Sequence, residues 1–440
     1  MQTYFNELAD RVTAALQGDE VALLSFAGED SDFVRFNKSE VRQAGSVQQR
    51  ELDLDLVSGQ RHCGMKLTLA GDLEQDEPRV RRVLSELRER LAFLPEDPHL
   101  LYATEAQGSE QVRRGELPQG GAAIERVRAA GQGRDLVGIY AAGAIHRGFA
   151  NSLGQRNWHT NESYNLDWSF YHQADKAVKT SYAGFAWDQP AFERKVAVAA
   201  EQLAALSRPA RTVEKGHYRV YLAPAALNDV IDHHCWDGFG LKAHRTKQTP
   251  FLRMIEDGAT LNPAVTLSEN TAEGVAPNFQ EQGFLRPDHV TLIEGGAWHD
   301  CLVSPRSARE YGVATNGASA MEWPESLDLA AGELASEDAL SLLGTGVYVS
   351  NVWYLNWSDR PSCRTTGMTR FATFWVEKGQ IQAPLNVMRF DETAYRMLGS
   401  NLVGLTRERD LILSAGSYFR RSTGSGRMPG ALVDDFHFTL

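Results

Sequence analysis

The sequence predicts an α+β fold: an N-terminal antiparallel sheet with helices, then a C-terminal β-rich domain. Three observations carry this. Alternating apolar and polar stretches crowd the early chain between glycine and asparagine breaks. A few helical periodicities interrupt them. Beyond residue 212 one clear helix precedes mostly short strands. With 440 residues and 42% hydrophobic composition, the chain can bury the core of two or three domains.

In order, a first helix sets Phe5, Leu8, Val12, Ala15 and Leu16 on one face, and Val21-Ala-Leu-Leu-Ser-Phe reads as a buried strand. Period-two stretches follow at Phe33-Val-Arg-Phe, Val41-Arg-Gln-Ala, Leu52-Asp-Leu-Asp-Leu-Val and Met65-Lys-Leu-Thr-Leu, divided by Asn37, Gly45, Gly59 and Gly64. A charged helix is expected from about Glu74 to Leu94, stopped before Pro95 and Pro98, and another from Gly121 to Gly131. Strands around the turn Asn151-Ser-Leu-Gly lead to a helix from Gln189 to Leu206. The polar stretch Ser207-Arg-Pro-Ala-Arg-Thr-Val-Glu-Lys-Gly then marks a junction, dividing the chain into domains 1–211 and 212–440. Tyr218-Arg-Val-Tyr-Leu opens the second, Thr373-Phe-Trp-Val lies within it, and Phe436-His-Phe-Thr-Leu closes it; a barrel or folded sheet is expected there.

The net charge of -12 supplies no field for nucleic-acid phosphates or anionic lipid, so neither nucleic acid nor a membrane is expected as a partner. Cys63, Cys235, Cys301 and Cys363 lie far apart without C-x-x-C spacing, which fits reduced thiols in a cytoplasm. The first residues lack the basic-then-apolar pattern of an export signal, and no apolar run reaches the roughly 18 to 20 residues that cross a bilayer.

The densest chemistry follows Pro224, a residue suited to the first helical position. On a helix carrying Leu227, Val230 and Ile231 as its buried stripe, Asp229, His233 and Asp237 stand at i, i+4 and i+8, a candidate His/carboxylate metal face. The alternative is that they cap and solvate the helix end. Cys363, in a polar loop beside two arginines, is a candidate nucleophile if the fold brings up His233, His234, His289 or His299; the alternative is an inert cysteine. Gly367 suggests a strand-linking loop with a close backbone approach. Near it, Arg370 and Arg389 are candidate substrate-binding residues that would hold peptide carboxylate or main-chain oxygens, unless they pair with acids such as Asp359 and Asp391. Trp353, Tyr354 and Trp357 suit a core or a partner interface. Gly344-Thr-Gly lacks the continuation of a phosphate loop, so no nucleotide site is assigned.

Several segments resemble the TldD/TldE (PmbA) peptidase family. Val34-Arg-Phe-Asn-Lys-Ser-Glu-Val-Arg-Gln is similar to an N-terminal strand of that family, and Asn151-Ser-Leu-Gly-Gln to its turn. The tract Ser350-Asn-Val-Trp-Tyr-Leu-Asn-Trp-Ser-Asp-Arg, Thr366-Gly-Met-Thr-Arg-Phe and Val376-Glu-Lys-Gly-Gln-Ile-Gln-Ala-Pro-Leu-Asn-Val-Met-Arg-Phe-Asp-Glu is similar to the E-type member's, and Leu432-Val-Asp-Asp-Phe-His-Phe to the terminal strand. Where the D-type subunit carries H-E-x-x-x-H, this chain reads Asp232-His233-x-x-x-Asp237, a departure that resembles the E-type subunit, which lacks the zinc motif. The resemblance implies a subunit of a metallopeptidase acting on unfolded or small peptides, including ribosomally made precursors. It implies no zinc in this chain, zinc in a D-type partner, and either that partner or a homodimer. An independent hydrolase using Asp229, His233, Asp237 or Cys363, and a non-catalytic peptide-binding homodimer, are the rival expectations.

Overall fold

A computed structural model describes residues 1–118, 121–174 and 176–439. Helix α1 (Gln2–Thr13) buries Phe5, Leu8 and Val12 as its period predicts, together with Ala9, whereas Ala15 and Leu16 lie beyond its end and are only partly buried. Strands β1 (Val21–Asn37), β2 (Glu40–Ser58) and β3 (Arg61–Thr68) follow. These strands are longer than expected. The stretches at Val21 and Phe33 merge into β1, and those at Val41 and Leu52 into β2. Gly45 does not break β2, because it pairs with Phe33 in an open part of the ladder, where a glycine keeps both of its backbone hydrogen-bonding groups. The chain reverses instead at Lys38 and Ser39, with φ of 52° and 62°, and at Gly59.

Helix α2 (Leu73–Leu91) starts at Asp72, whose carboxylate accepts the Glu74 N–H. Then come β4 (Ser109–Arg113), α3 (Ala122–Gly131), β5 (Asp135–Asn151), β6 (Arg156–Gln173), β7 (Lys176–Gly184) and α4 (Gln189–Leu206). At the β5–β6 turn the Asn151 side chain accepts the N–H groups of Leu153 and Gln155, which is why asparagine serves there. These strands form a seven-stranded sheet ordered β3-β2-β1-β5-β6, with β4 and β7 sharing the outer edge of β6. It is antiparallel except for the short β4.

The second sheet begins after Leu206 with β8 (Gly216–Leu222), followed by α5 (Pro224–Cys235), α6 (Leu241–Arg245) and α7 (Leu252–Glu256). Strands β9 (Leu267–Asn270), β10 (His289–Glu294) and β11 (Ala297–Trp298), helix α8 (Pro305–Tyr311), β12 (Ser326–Leu329) and α9 (Ala339–Leu343) lead on. The last run is β13 (Gly346–Asp359), β14 (Arg364–Glu377), β15 (Gln380–Pro384), β16 (Arg389–Thr393), β17 (Leu402–Leu413) and β18 (Ser425–Phe438). Leu440, placed by the sequence reading in the closing strand, lies outside the described residues. The order is β11-β10-β9-β12-β18-β16-β14-β13-β8, with β15 on β14 and β17 on β18; β8 also pairs with β18, so this part of the sheet closes on itself. Leu227, Val230 and Ile231 of α5 sink into its core.

The two sheets share no strand, yet they pack together. Ala372 and Phe374 of β14 enter the core formed by β6 and α4, where Trp168 and Phe192 also lie. The loop after β17 reaches back across the gap. There the buried Arg421 guanidinium donates to the carbonyls of Gly143 and Ser163, and its backbone N–H donates to Glu29, while Arg420 pairs with Glu51.

Candidate functional site

A cavity of about 660 Å³ opens where β6 and β7 of the first sheet face α5, β13 and β14 of the second. Pro224 occupies the start of α5, and the buried stripe of Leu227, Val230 and Ile231 fixes the helix's rotation, leaving Asn228, Asp229 and Asp232 to line the cavity. Burial pushes the Asp229 carboxyl up to about 7, with Lys179 opposing that rise and Asp232 and Asp167 reinforcing it. Asp232 is open to the cavity's solvent but walled in by protein on most sides, and its pKa is raised by that burial. Lys179 is held 3.1 Å from Asp167. Across the cavity the Arg370 guanidinium lies 3.9 Å from the ring centre of Trp353, a cation–π contact, and makes no ion pair among the described residues.

The face expected from Asp229, His233 and Asp237 does not form. The spacing argument required a helix running through Asp237, but α5 ends at Cys235 and Asp237 has turned away with φ of 55°. Its carboxylate sits at the surface, 3.1 Å from Arg360. His233 packs against Trp357, 4.4 Å between ring centres, and burial lowers its pKa to about 4 with Arg360 adding to the fall. His234 is deeper still, hydrogen-bonded at 3.1 Å to the Thr365 hydroxyl and pushed down by burial to about 3.

Comparison with known proteins bears on this arrangement. A family model described as the PmbA/TldA metallopeptidase C-terminal domain matches residues 215–440, half of the chain. The chain belongs to the TldD/PmbA family. Among solved structures it is similar to TldE from Thermococcus kodakarensis, with a TM-score of 0.78 at 12% identity, covering 99% of this chain and 100% of that one. A protein named as a candidate modulator of a DNA gyrase from Thermotoga maritima follows at 0.76 and 15%, covering 99% and 100%. A similarly named protein from Bacteroides thetaiotaomicron gives 0.72 and 13%, covering 99% and 98%. At these identities the likeness concerns the fold. The search of curated proteins returned no match.

The metal that this TldD/PmbA family's description implies has no ready donor set on α5. Asp229, His233 and Asp237 point into a cavity, a tryptophan-lined core and the surface respectively, and no three His, Cys, Asp or Glu side chains among the described residues converge on one ion position. Those residues do not fit a metal ion.

Cys363 also departs from expectation. It is fully buried, and burial drives its thiol well above the ordinary range, the reverse of an activated nucleophile. The neighbouring arginines do not reach it: Arg360 turns to Asp237 and Arg364 to Asp391 at 3.3 Å, while a left-handed φ of 49° turns Cys363 inward. His289 and His299 are exposed, the latter beside Glu294, and none of the four nominated histidines hydrogen-bonds the thiol among the described residues.

The two arginines grouped in the sequence lie on neighbouring strands, but only one lines the cavity. Arg370 faces the cavity, whereas Arg389 is exposed on β16 and donates from Nε to the Thr366 hydroxyl at 3.0 Å. Asp391, a suggested partner for either, is taken by Arg364. Gly367 belongs to β14 and not to a loop, but the close approach is present: a Cβ there would lie 2.6 Å from Leu355 and Phe390 side-chain carbons. Trp357 is part of the histidine packing, while Tyr354 stands 77% exposed beside Trp353. Sequence reasoning passed over Asn228, Asn351, Asp167 and Lys179. The only signal for Asn351 was its place in the quoted Ser350-Asn-Val-Trp tract, and none linked Asp167 or Lys179 to α5.

Proposed function

We propose that this chain is an E-type subunit of a two-chain metallopeptidase, in which a D-type partner supplies the zinc and this chain, without zinc of its own, holds unfolded or small peptides. The observation that carries the reading is the cavity itself. It combines a guanidinium and two carboxylates without ion-pair partners among the described residues, and aromatic surface, in a volume within the range of about 300–1,000 Å³ of small-ligand pockets, while the metal candidates of α5 diverge. Arg370 suits a peptide carboxylate or main-chain oxygen. We further propose that residues 1–211 and 212–440 act as two domains and that the chain works in the cytoplasm. Four free cysteines support that compartment, and among the described residues no helix is long and apolar enough to cross a membrane.

Elemental analysis of the purified chain, with peptidase assays alone and mixed with a D-type subunit, tests the proposal. The expected result is a metal-free chain that is silent alone and required for cleavage in the mixture. Stoichiometric metal or turnover by the chain alone would overturn it. Peptide binding with no turnover even in the mixture would instead favour the rival reading, a non-catalytic peptide-binding homodimer.

A further inference from the structure

We propose that the cavity holds the amino terminus of its peptide, with the α-ammonium between Asp229 and Asp232 and the main chain running past Asn351 toward Arg370. This rests on the peptide-holding reading above and adds which end of the peptide is recognised.

Asp229 and Asp232 stand at i and i+3 on the cavity face of α5, and neither has an ion-pair partner among the described residues. Lys179 is the cation that acts on Asp229, but it is committed to Asp167. Two carboxylates crowded on one helix face and lacking a cation form a receptor for an ammonium group. A second observation is independent of the acids. Asn351 is only 7% exposed and lines the same cavity; its side-chain oxygen accepts the Ser350 hydroxyl at 2.9 Å, and its amide N–H groups have no acceptor among the described residues. An amide donor of a largely buried residue, left open to the cavity in this way, matches a carbonyl oxygen brought by a ligand. Arg370, stacked on Trp353, offers a further donor fork to the next carbonyl or to a terminal carboxylate. The same ammonium chemistry occurs on a lysine side chain. Four methylenes separate that group from its backbone, however, whereas an α-ammonium delivers carbonyl oxygens directly to the neighbouring amide and guanidinium donors.

Calorimetric titration of the full chain with tetra-alanine, its N-acetylated form, its C-amidated form and N-acetyl-Ala-Lys-Ala-Ala tests this. Acetylation is expected to weaken binding by about tenfold or more, the usual worth of a charge-assisted hydrogen bond. Amidation should have a smaller effect. The isosteric double variant Asp229→Asn/Asp232→Asn should bind free and acetylated peptides alike, and Arg370→Ala should lose affinity while keeping the preference for a free amine. If acetylated and free tetra-alanine bind the wild type equally, the amino-terminal inference is wrong while the peptide-holding reading stands. Tightest binding by the acetylated lysine peptide would overturn it in favour of a side-chain ammonium. If none of the four peptides binds, the underlying reading fails with it.

Discussion

The packed and the cavity-lining polar side chains of α5 interleave around the helix and have opposite fates. Among the packed ones, His233, His234 and Cys235 are each no more than 5% exposed, set against Trp357, Phe251 and the second-sheet core. Asn228, Asp229 and Asp232 instead line an open cavity, and neither acid has an ion-pair partner among the described residues. The side chains that look most like chemistry in the sequence are thus spent on packing, with both imidazoles held neutral by burial. The plainer acids that line the cavity remain free to meet a ligand. Residue type alone is a poor guide to a site; which face the apolar stripe buries decides more.

The largest effect should come from the packed face. Leu227→Ala removes a fully buried side chain and is expected to destabilise the protein by about 3 kcal/mol in chemical denaturation. A loss under about 1 kcal/mol would mean that α5 is loosely docked and that its two faces are not fixed.

Next comes Asp229. Its carboxyl titrates at about 7 in the fold and near 4 in an unfolded chain, so between those values the folded state keeps a proton that the unfolded state has released. Stability therefore falls as pH rises from about 4 to about 7. Asp229→Asn stays neutral and should gain on the wild type across that window by about 1–2 kcal/mol, an amount discounted because the carboxyl faces cavity solvent. Parallel stability–pH curves for the two proteins would place Asp229 in ordinary solvent and erase the contrast between the faces.

A smaller change is expected for Arg370→Ala. With no ion pair to lose, stability should shift by under about 0.5 kcal/mol, while peptide affinity falls about tenfold. Unchanged turnover of peptide in the assembled complex would remove Arg370 from the site. Last, iodoacetamide should label native Cys363 far more slowly than free cysteine, as its burial requires; labelling at the free rate would return it to the list of nucleophiles.

Much of the fold was legible. The α1 stripe, the helix from Gln189 to Leu206 with its Asp188 cap, the start of α5 at Pro224 and the Asn151 turn all rest on interactions between residues a few positions apart. The misreadings arose where a local signal was overruled. Gly45 did not interrupt β2 because its partner strand continued the ladder, and the small strands β9 to β12 are too short to show a period. The end of α5 was misjudged by two residues, enough to take Asp237 off the expected face and give it to Arg360.

By itself, the sequence determined the α+β class, the closing β-rich sheet, the change from one sheet to the next after Leu206, and a tract similar to one protein family. Only the tertiary structure decided the site. Asp167, Asp229 and the cross-strand pair Asn351 and Arg370 come from three separate segments, and nothing in the sequence links the hairpin pair to the other two. They meet because β14 sends Ala372 and Phe374 into the first core while the stripe of α5 enters the second. Local periodicity states which side of an element is apolar; the packing of two cores against each other states what the remaining sides face.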